Sequence, residues 1–329
     1  MINELNYENF TNEHPAGNFF QSLVFGKFQE TIPYRGKSWT LTAKNEAGQI
    51  ISSCLLVKQK LPFGLCWLWA PYGPIGFDEK IFQDAALIAK EEKAVFARFE
   101  PSLKWEGTAE IERVWPFSFS HKRYTPQNSL IIDLDKTPDE ILGQMKPKGR
   151  YNIHVAKKHD VTIENLSGKR VDEIGFAFDE FYKILRSTGA RDGFGVHPKS
   201  FYKNLLDIFG VERSALFLAY SKEKLIAGIV VIYHKNTATY YYGASDREYG
   251  ALMAPYLLQW EAMMDAKRRG MTSYDLLGIA PSDGKPHALS GVTDFKKKFG
   301  GREIEYPRAF DVIYKKAWYT AWTLFSKKR

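Results

Sequence analysis

Apolar-rich runs flank short polar turns in two hairpin-like stretches of the chain. Trp39 to Ala43 and Ile50 to Val57 flank a polar turn, Lys44 to Gly48. Ala215 to Tyr220 and Leu225 to Tyr233 flank a second, Ser221 to Lys224. Short apolar-rich runs on both sides of a polar turn predict antiparallel strands. Each hairpin is followed by an aromatic strand, Cys66 to Pro71 and Tyr240 to Ala244. Next come helix-period stretches, Ile81 to Lys93 and Pro255 to Arg269, and then apolar strands, Ala94 to Glu100 and Ser273 to Gly278. Corresponding positions lie roughly 170–180 residues apart, too far for a solenoid period and suited to two copies of one domain.

Between the copies the pattern is helical. Thr137, Pro138 and Glu140 form a helix start, with Thr137 as N-cap, Pro138 at the first position and Glu140 closing a capping box. Pro147 ends that helix and a second follows, Lys148 to His159, with Arg150, His154, Lys157 and Lys158 on one face and Ile153 and Ala156 behind. The boundary between domains is expected here, giving 1–145 and 146–311. Val171 to Ser187 carries Ile174, Phe178, Phe181 and Leu185 at helical spacing, and Pro198 to Phe209 reads as another helix. Between them, Arg191 to Gly195 reads as a loop whose glycines allow close backbone approach. Phe295 and Lys296 are expected on a loop bounded by Gly291 and Gly301. Residues 312–329 are expected as a C-terminal helix on the first domain. Its last part carries Trp318, Trp322 and three closing cations, for which a membrane interface is the second reading after packing on the fold.

Composition narrows the class. The chain has 329 residues, enough for two domains. Its two cysteines, Cys54 and Cys66, form no disulfide framework and suit a reducing compartment. The polar stretch from Met1 to Pro15 has no signal-peptide core, and no apolar run approaches the ~20 residues that span a bilayer. A cytoplasmic protein is expected. The net charge of +8 collects at Lys146 to Lys158, Lys267 to Arg269, Lys296 to Lys298 and Lys327 to Arg329, which favours an anionic partner.

The familiar catalytic motifs are missing. His154 and His159 are poorly spaced for one metal, and neither a phosphate-binding loop nor a Gly-x-Ser-x-Gly turn occurs. No metal and no cofactor are expected. The order hairpin, strand, turn, helix, strand matches a GNAT-type acyltransferase in each half, so the expected class is α+β with tandem duplicated GNAT-like domains. Acetyl-coenzyme A enzymes of that fold place small residues where pyrophosphate meets a helix start. Here that turn is Arg247 to Leu252, and Leu252 would crowd a pyrophosphate.

Several motifs together resemble the FemABX family of aminoacyltransferases in cell-wall synthesis. They are Arg150-Tyr151-Asn152-Ile153 with Ala156-Lys157-Lys158, Arg191-Asp192-Gly193-Phe194, Tyr242-Gly243-Ala244-Ser245, Leu252 to Glu261, and Gly291-Val292-Thr293 with Phe295-Lys296. The resemblance covers almost the whole chain. It implies an aminoacyl-tRNA donor and a peptidoglycan precursor as acceptor. The span from Arg191 to Ala215 leaves no room for a helical arm, so the chain resembles the short type. The resemblance places Lys296 beside the reacting ester, where a cation stabilises an oxyanion. It gives Arg191 the acceptor's phosphates, a task suited to a guanidinium fork. Glu100 stands where the family has an aspartate, and a carboxylate there could take the proton of the attacking ammonium. Gln29, with Lys27 nearby, stands where the family has a diphosphate-binding lysine. Phe295 and Tyr242 join the substrate site, and Arg150, Lys157 and Lys158 the tRNA face.

The expected function is transfer of an amino acid from aminoacyl-tRNA to an amine of a muramyl pentapeptide by direct aminolysis, building the interpeptide bridge. A coenzyme A-dependent N-acyltransferase is the alternative. A non-catalytic RNA-binding protein has the basic face but no RNA-recognition motif. Peripheral contact with the inner membrane face is a further expectation.

Overall fold

The computed structural model describes residues 2–103, 116–120, 122–285 and 287–326. The chain divides into two compact units, Met1–Gln127 with Tyr306–Arg329, and Asn128–Glu305.

The first unit is a six-stranded sheet in the order β1-β2-β3-β4-β13-β5. Its strands are β1 (Arg35–Lys44), β2 (Ile50–Lys60), β3 (Cys66–Ala70), β4 (Ala94–Phe99), β5 (Phe117–Phe119) and β13 (Phe310–Ile313). Helices α1 (Ile2–Glu13) and α2 (Leu23–Glu30) precede the sheet, and α3 (Glu79–Glu91) crosses from β3 to the parallel β4. Asp78 starts α3 by accepting the Lys80 N–H at 2.9 Å. Alternation along the strands gives the sheet two different faces. Leu56, Leu68, Ala97 and Phe99 pack with Ile81, Phe82 and Ala85 of α3. The other residues, Trp67, Trp69, Phe96 and Arg98, are buried as well. Over them lies α10 (Lys316–Ser326), whose Trp322 ring sits 4.7 Å from Phe96.

Arg98 is the one guanidinium with no exposure among the described residues of that sheet. Its Nε and Nη2 donate to the two carboxylate oxygens of Asp311 on β13, both at 2.8 Å. Nη1 donates to Lys122 O, and the Tyr319 hydroxyl donates to Asp311 Oδ2.

The second unit is a seven-stranded sheet in the order β7-β8-β9-β10-β11-β6-β12. Its strands are β6 (Asn128–Asp133), β7 (Val161–Asn165), β8 (Ser214–Ser221), β9 (Lys224–His234), β10 (Thr237–Ser245), β11 (Ser273–Gly278) and β12 (Arg302–Glu305). Its helices are α4 (Pro138–Gln144), α5 (Pro147–Lys158), α6 (Gly175–Asp192), α7 (Lys199–Arg213), α8 (Ala254–Arg268) and α9 (Ser290–Lys296). The capping box of α4 is complete, with Thr137 and Glu140 bonding each other's backbone N–H. Helix α8 joins β10 to the parallel β11 as α3 joins β3 to β4. The two sheets therefore share one strand order, with β1 to β4 matching β8 to β11.

Two boundaries and one element differ from what the sequence suggests. The first unit ends at Gln127, earlier than 145, because Asn128–Asp133 is a strand hydrogen-bonded between β11 and β12. Residues 312–313, expected to open the final helix, instead end a strand, Phe310–Ile313, that pairs with both β4 and β5. Phe295 and Lys296 lie on α9, not on a loop. Thr293 fastens that helix by accepting the Ala280 N–H at 2.7 Å and donating to Leu289 O.

Candidate active site

The second unit's parallel pair opens towards its C-terminal end. Strands β10 and β11 pair only from Thr237 with Ser273 to Thr239 with Asp275. In the first unit the equivalent pair holds from Cys66 with Ala94 to Ala70 with Phe99. Two local features account for the difference. Strand β10 carries a bulge, its register against β9 slipping between Tyr240 and Tyr242. Strand β11 bends where its register against β6 slips between Asp275 and Gly278, and Leu277 there has φ of 58°. A leucine in left-handed backbone is unfavourable and needs support. Asp275 supplies it: Oδ1 accepts the Leu277 N–H at 2.7 Å and a hydrogen bond from the Ser129 hydroxyl of β6. Burial raises the Asp275 carboxyl above its ordinary range, partly offset by these donors.

Lys296 reaches this opening. It is 6% exposed, and its Nζ donates to Gly278 O at 2.7 Å. The ammonium lies 5.6 Å from the centre of the Tyr240 ring. Burial lowers its pKa to about 8, while Asp275 acts in the opposite sense. Gly278 O is the only acceptor for Lys296 among the described residues, which leaves two N–H groups without an acceptor there. Phe295 turns to the core of the unit, its ring 5.0 Å from Tyr256 and 5.3 Å from Phe299. It anchors α9 and thereby fixes the neighbouring lysine.

The other predicted positions fall in separate places. Arg191 is in the last turn of α6, ahead of Gly193, which caps the helix with φ of 73°. Its Nε and Nη2 donate to Asp192 at 2.6 and 2.8 Å, and Nη1 donates to Ser245 O at the end of β10. Tyr242, on the same strand, meets Phe201 and Tyr202 of α7 edge-on. Arg150, Lys157 and Lys158 lie exposed along α5, while Ile153 and Ala156 are buried beneath.

Glu100, Lys27 and Gln29 belong to the first unit. Glu100 is fully buried at the end of β4. Its carboxylate accepts the Tyr124 N–H at 2.6 Å, the Thr125 N–H at 2.9 Å and the Thr125 hydroxyl at 2.7 Å. Both oxygens are thus engaged in holding the 124–125 segment. Lys27 is exposed. Gln29 is 1% exposed, and neither atom of its amide has a hydrogen-bond partner among the described residues. A buried unpaired amide is costly. Burial pushes the Cys54 and Cys66 thiols up, Cys66 to about 11, which leaves neither suited to nucleophilic attack.

Reading the sequence missed Ser129, Asp275 and Tyr240. Asp275 was visible as a lone carboxylate in the apolar strand Ser273 to Gly278. Ser129 gave no signal, because its contact lies across strands far apart in sequence.

The FemAB family matches three stretches, residues 2–114, 116–224 and 219–327. Among curated proteins, the chain is similar to lipid II:glycine glycyltransferases of Staphylococcus epidermidis and Staphylococcus aureus. Each is 23% identical over 95% of this chain and 92% of the relative. Among solved structures, the crystal structure of FemX superposes with a TM-score of 0.82 at 18% identity, covering 97% of this chain and 98% of that one. A tandem GNAT protein from the clavulanic acid biosynthesis pathway superposes with a TM-score of 0.57 at 11% identity, covering 94% and 93%. These likenesses, with the two matching sheets, give the fold as a tandem GNAT-like α+β protein.

Proposed function

Because the chain belongs to the FemAB family, we propose that it is an aminoacyltransferase moving an amino acid from aminoacyl-tRNA to an amine of a peptidoglycan precursor. The observation that carries this reading is the buried Lys296 at the open end of β10 and β11, with two donors to offer. The names of the relatives, glycyltransferases acting on lipid II, support the acceptor class.

In this reaction the acceptor amine attacks the ester carbonyl. A C–N bond forms, the C–O bond to the terminal ribose breaks, and the departing oxygen takes up a proton. Negative charge develops on the carbonyl oxygen, and the Lys296 ammonium is placed to receive it. The ester is already activated, so holding both substrates together supplies most of the rate. We assign no proton transfer to Glu100, whose two oxygens already accept three hydrogen bonds. Its task in this reading is to fix the 124–125 segment. Arg191, with Tyr242 near it on β10, is assigned to the acceptor's phosphates, and Lys27 and Gln29 to a further acceptor contact. Arg150, Lys157 and Lys158 are the docking face for tRNA. The protein works at the inner membrane surface without crossing it.

The decisive experiment supplies one labelled amino acid in two forms, as the tRNA ester and as the coenzyme A thioester, with a muramyl-pentapeptide acceptor. Product is expected from the ester. Product from the thioester alone would overturn the reading. Binding of tRNA weakens steeply with salt, because neutralised phosphates release counterions. Neutralising Arg150, Lys157 and Lys158 together flattens that slope.

A pH profile tests the lysine's charge. Its pKa of about 8 lies below the ordinary lysine value, so the cation is lost as pH rises through about 8. Single-turnover rates should fall across that interval. A profile that climbs without a break to pH 10 would take the ammonium out of the reaction.

A further inference from the structure

One end of the first unit's sheet combines apolar exposure with positive charge. The β2–β3 turn, Leu61 to Leu65, meets the start of α10 there, with the rings of Phe63 and Trp318 6.1 Å apart. Phe63 is 87% exposed, Trp318 47% and Leu324 65%. Phe63 also has φ of 61°. A large aromatic in left-handed backbone and in water is doubly unfavourable, and such strain persists mainly where function uses it. Helix α10 turns Trp322 and Tyr319 to the core and leaves Ala317, Trp318, Thr320 and Leu324 outside. Its sequence has no acid, and Lys316 is its only charge.

Cations surround this apolar end. Lys60 closes β2, its ammonium on Pro33 O, and Lys315 precedes α10, its ammonium on Lys93 O. Lys90, Lys93 and Lys316 are exposed. The acids nearby are Glu91 and Glu92, and Glu92 is paired with Lys58 at 2.5 Å. The sequence continues beyond α10 with Lys327, Lys328 and Arg329. Aromatic and aliphatic tips ringed by lysines are the chemistry of an interfacial anchor.

We propose that the turn bearing Phe63 and the outer face of α10 form a docking surface for an anionic lipid bilayer. Phe63, Trp318 and Leu324 enter the headgroup–acyl boundary, and the lysines lie against lipid phosphates. This builds on the membrane contact proposed above and gives it residues. Among the described residues no helix is long and apolar enough to cross a membrane, so the contact is peripheral.

The test is co-sedimentation of the full chain with vesicles of phosphatidylglycerol and phosphatidylethanolamine, or of phosphatidylcholine alone. The wild type should partition at least about ten-fold better onto the anionic vesicles, and less well in high salt. The pair Phe63→Ser and Leu324→Ser should lower partitioning about ten-fold or more. A second variant, Lys60→Gln with Lys316→Gln, should lose roughly five-fold per cation on anionic vesicles only. Both variants should transfer normally to a soluble nucleotide-linked acceptor. The assay contains neither donor nor acceptor, so its result stands apart from the transfer chemistry. A wild type that does not sediment, or does so equally with both vesicle types, overturns the proposal. So does wild-type binding by the folded Phe63 and Leu324 variant.

Discussion

Lys296→Met yields a folded protein whose turnover is lower by roughly 10²–10³, the usual loss for one oxyanion donor. The loss should fall on the chemical step, with both substrates still bound. Methionine fills nearly the same volume beside Tyr240 and removes a cation held in a 6% exposed position. Stability should therefore hold or rise, because a buried charge is costly. Single-turnover kinetics and a thermal melt on one preparation separate the two effects. Near-normal turnover in a variant with an undiminished Tm would remove Lys296 from the site. A collapse of both would make it structural.

The second large effect is on folding. Asp311→Ala should destabilise the first unit by about 3–5 kcal/mol, because it leaves the Arg98 guanidinium buried without its counter-ion. The pair is doubly hydrogen-bonded at 2.8 Å with no exposure on either side. Trp67, Phe96, Tyr124 and Trp322 lie around the guanidinium, so water cannot replace the carboxylate. Calorimetry should show one transition moved down and another unmoved. A double variant, Arg98→Met with Asp311→Leu, should recover most of the loss, since apolar replacement of a buried pair is often neutral. An Asp311→Ala melt within a degree of wild type would mean that Arg98 finds another partner.

Much of the architecture was legible because it is local. Short apolar-rich runs around polar turns gave β1, β2, β8 and β9, and helical spacing gave α3 and α8. Thr137, Pro138 and Glu140 marked the start of α4 by bonds within four residues. What escaped reading is held by distant partners. The Arg98–Asp311 pair spans 213 residues, and nothing near Phe310 to Ile313 distinguishes a strand from the first turn of a helix. Asn128 to Asp133 was likewise invisible as a strand until β11 and β12 flanked it. Lys296 was singled out through its motif. The opening it enters depends on a bulge at Tyr240 and on the left-handed Leu277, neither of them a glycine. Glu100 was read for its chemistry, while its three hydrogen bonds describe a fastening.

The strand β13 has a consequence for biosynthesis. The second unit, Asn128–Glu305, is continuous and can close as soon as it has left the ribosome. The first unit cannot, because its sheet lacks β13 between β4 and β5 until the last residues emerge. At usual translation speeds the nascent first half waits roughly 10–40 s for that strand. During the wait β4 presents an unpaired edge with an uncompensated Arg98, the kind of edge that invites mispairing. The half made first is thus the half finished last, and a chain cut short before Phe310 carries every strand of the second unit tethered to an open first one.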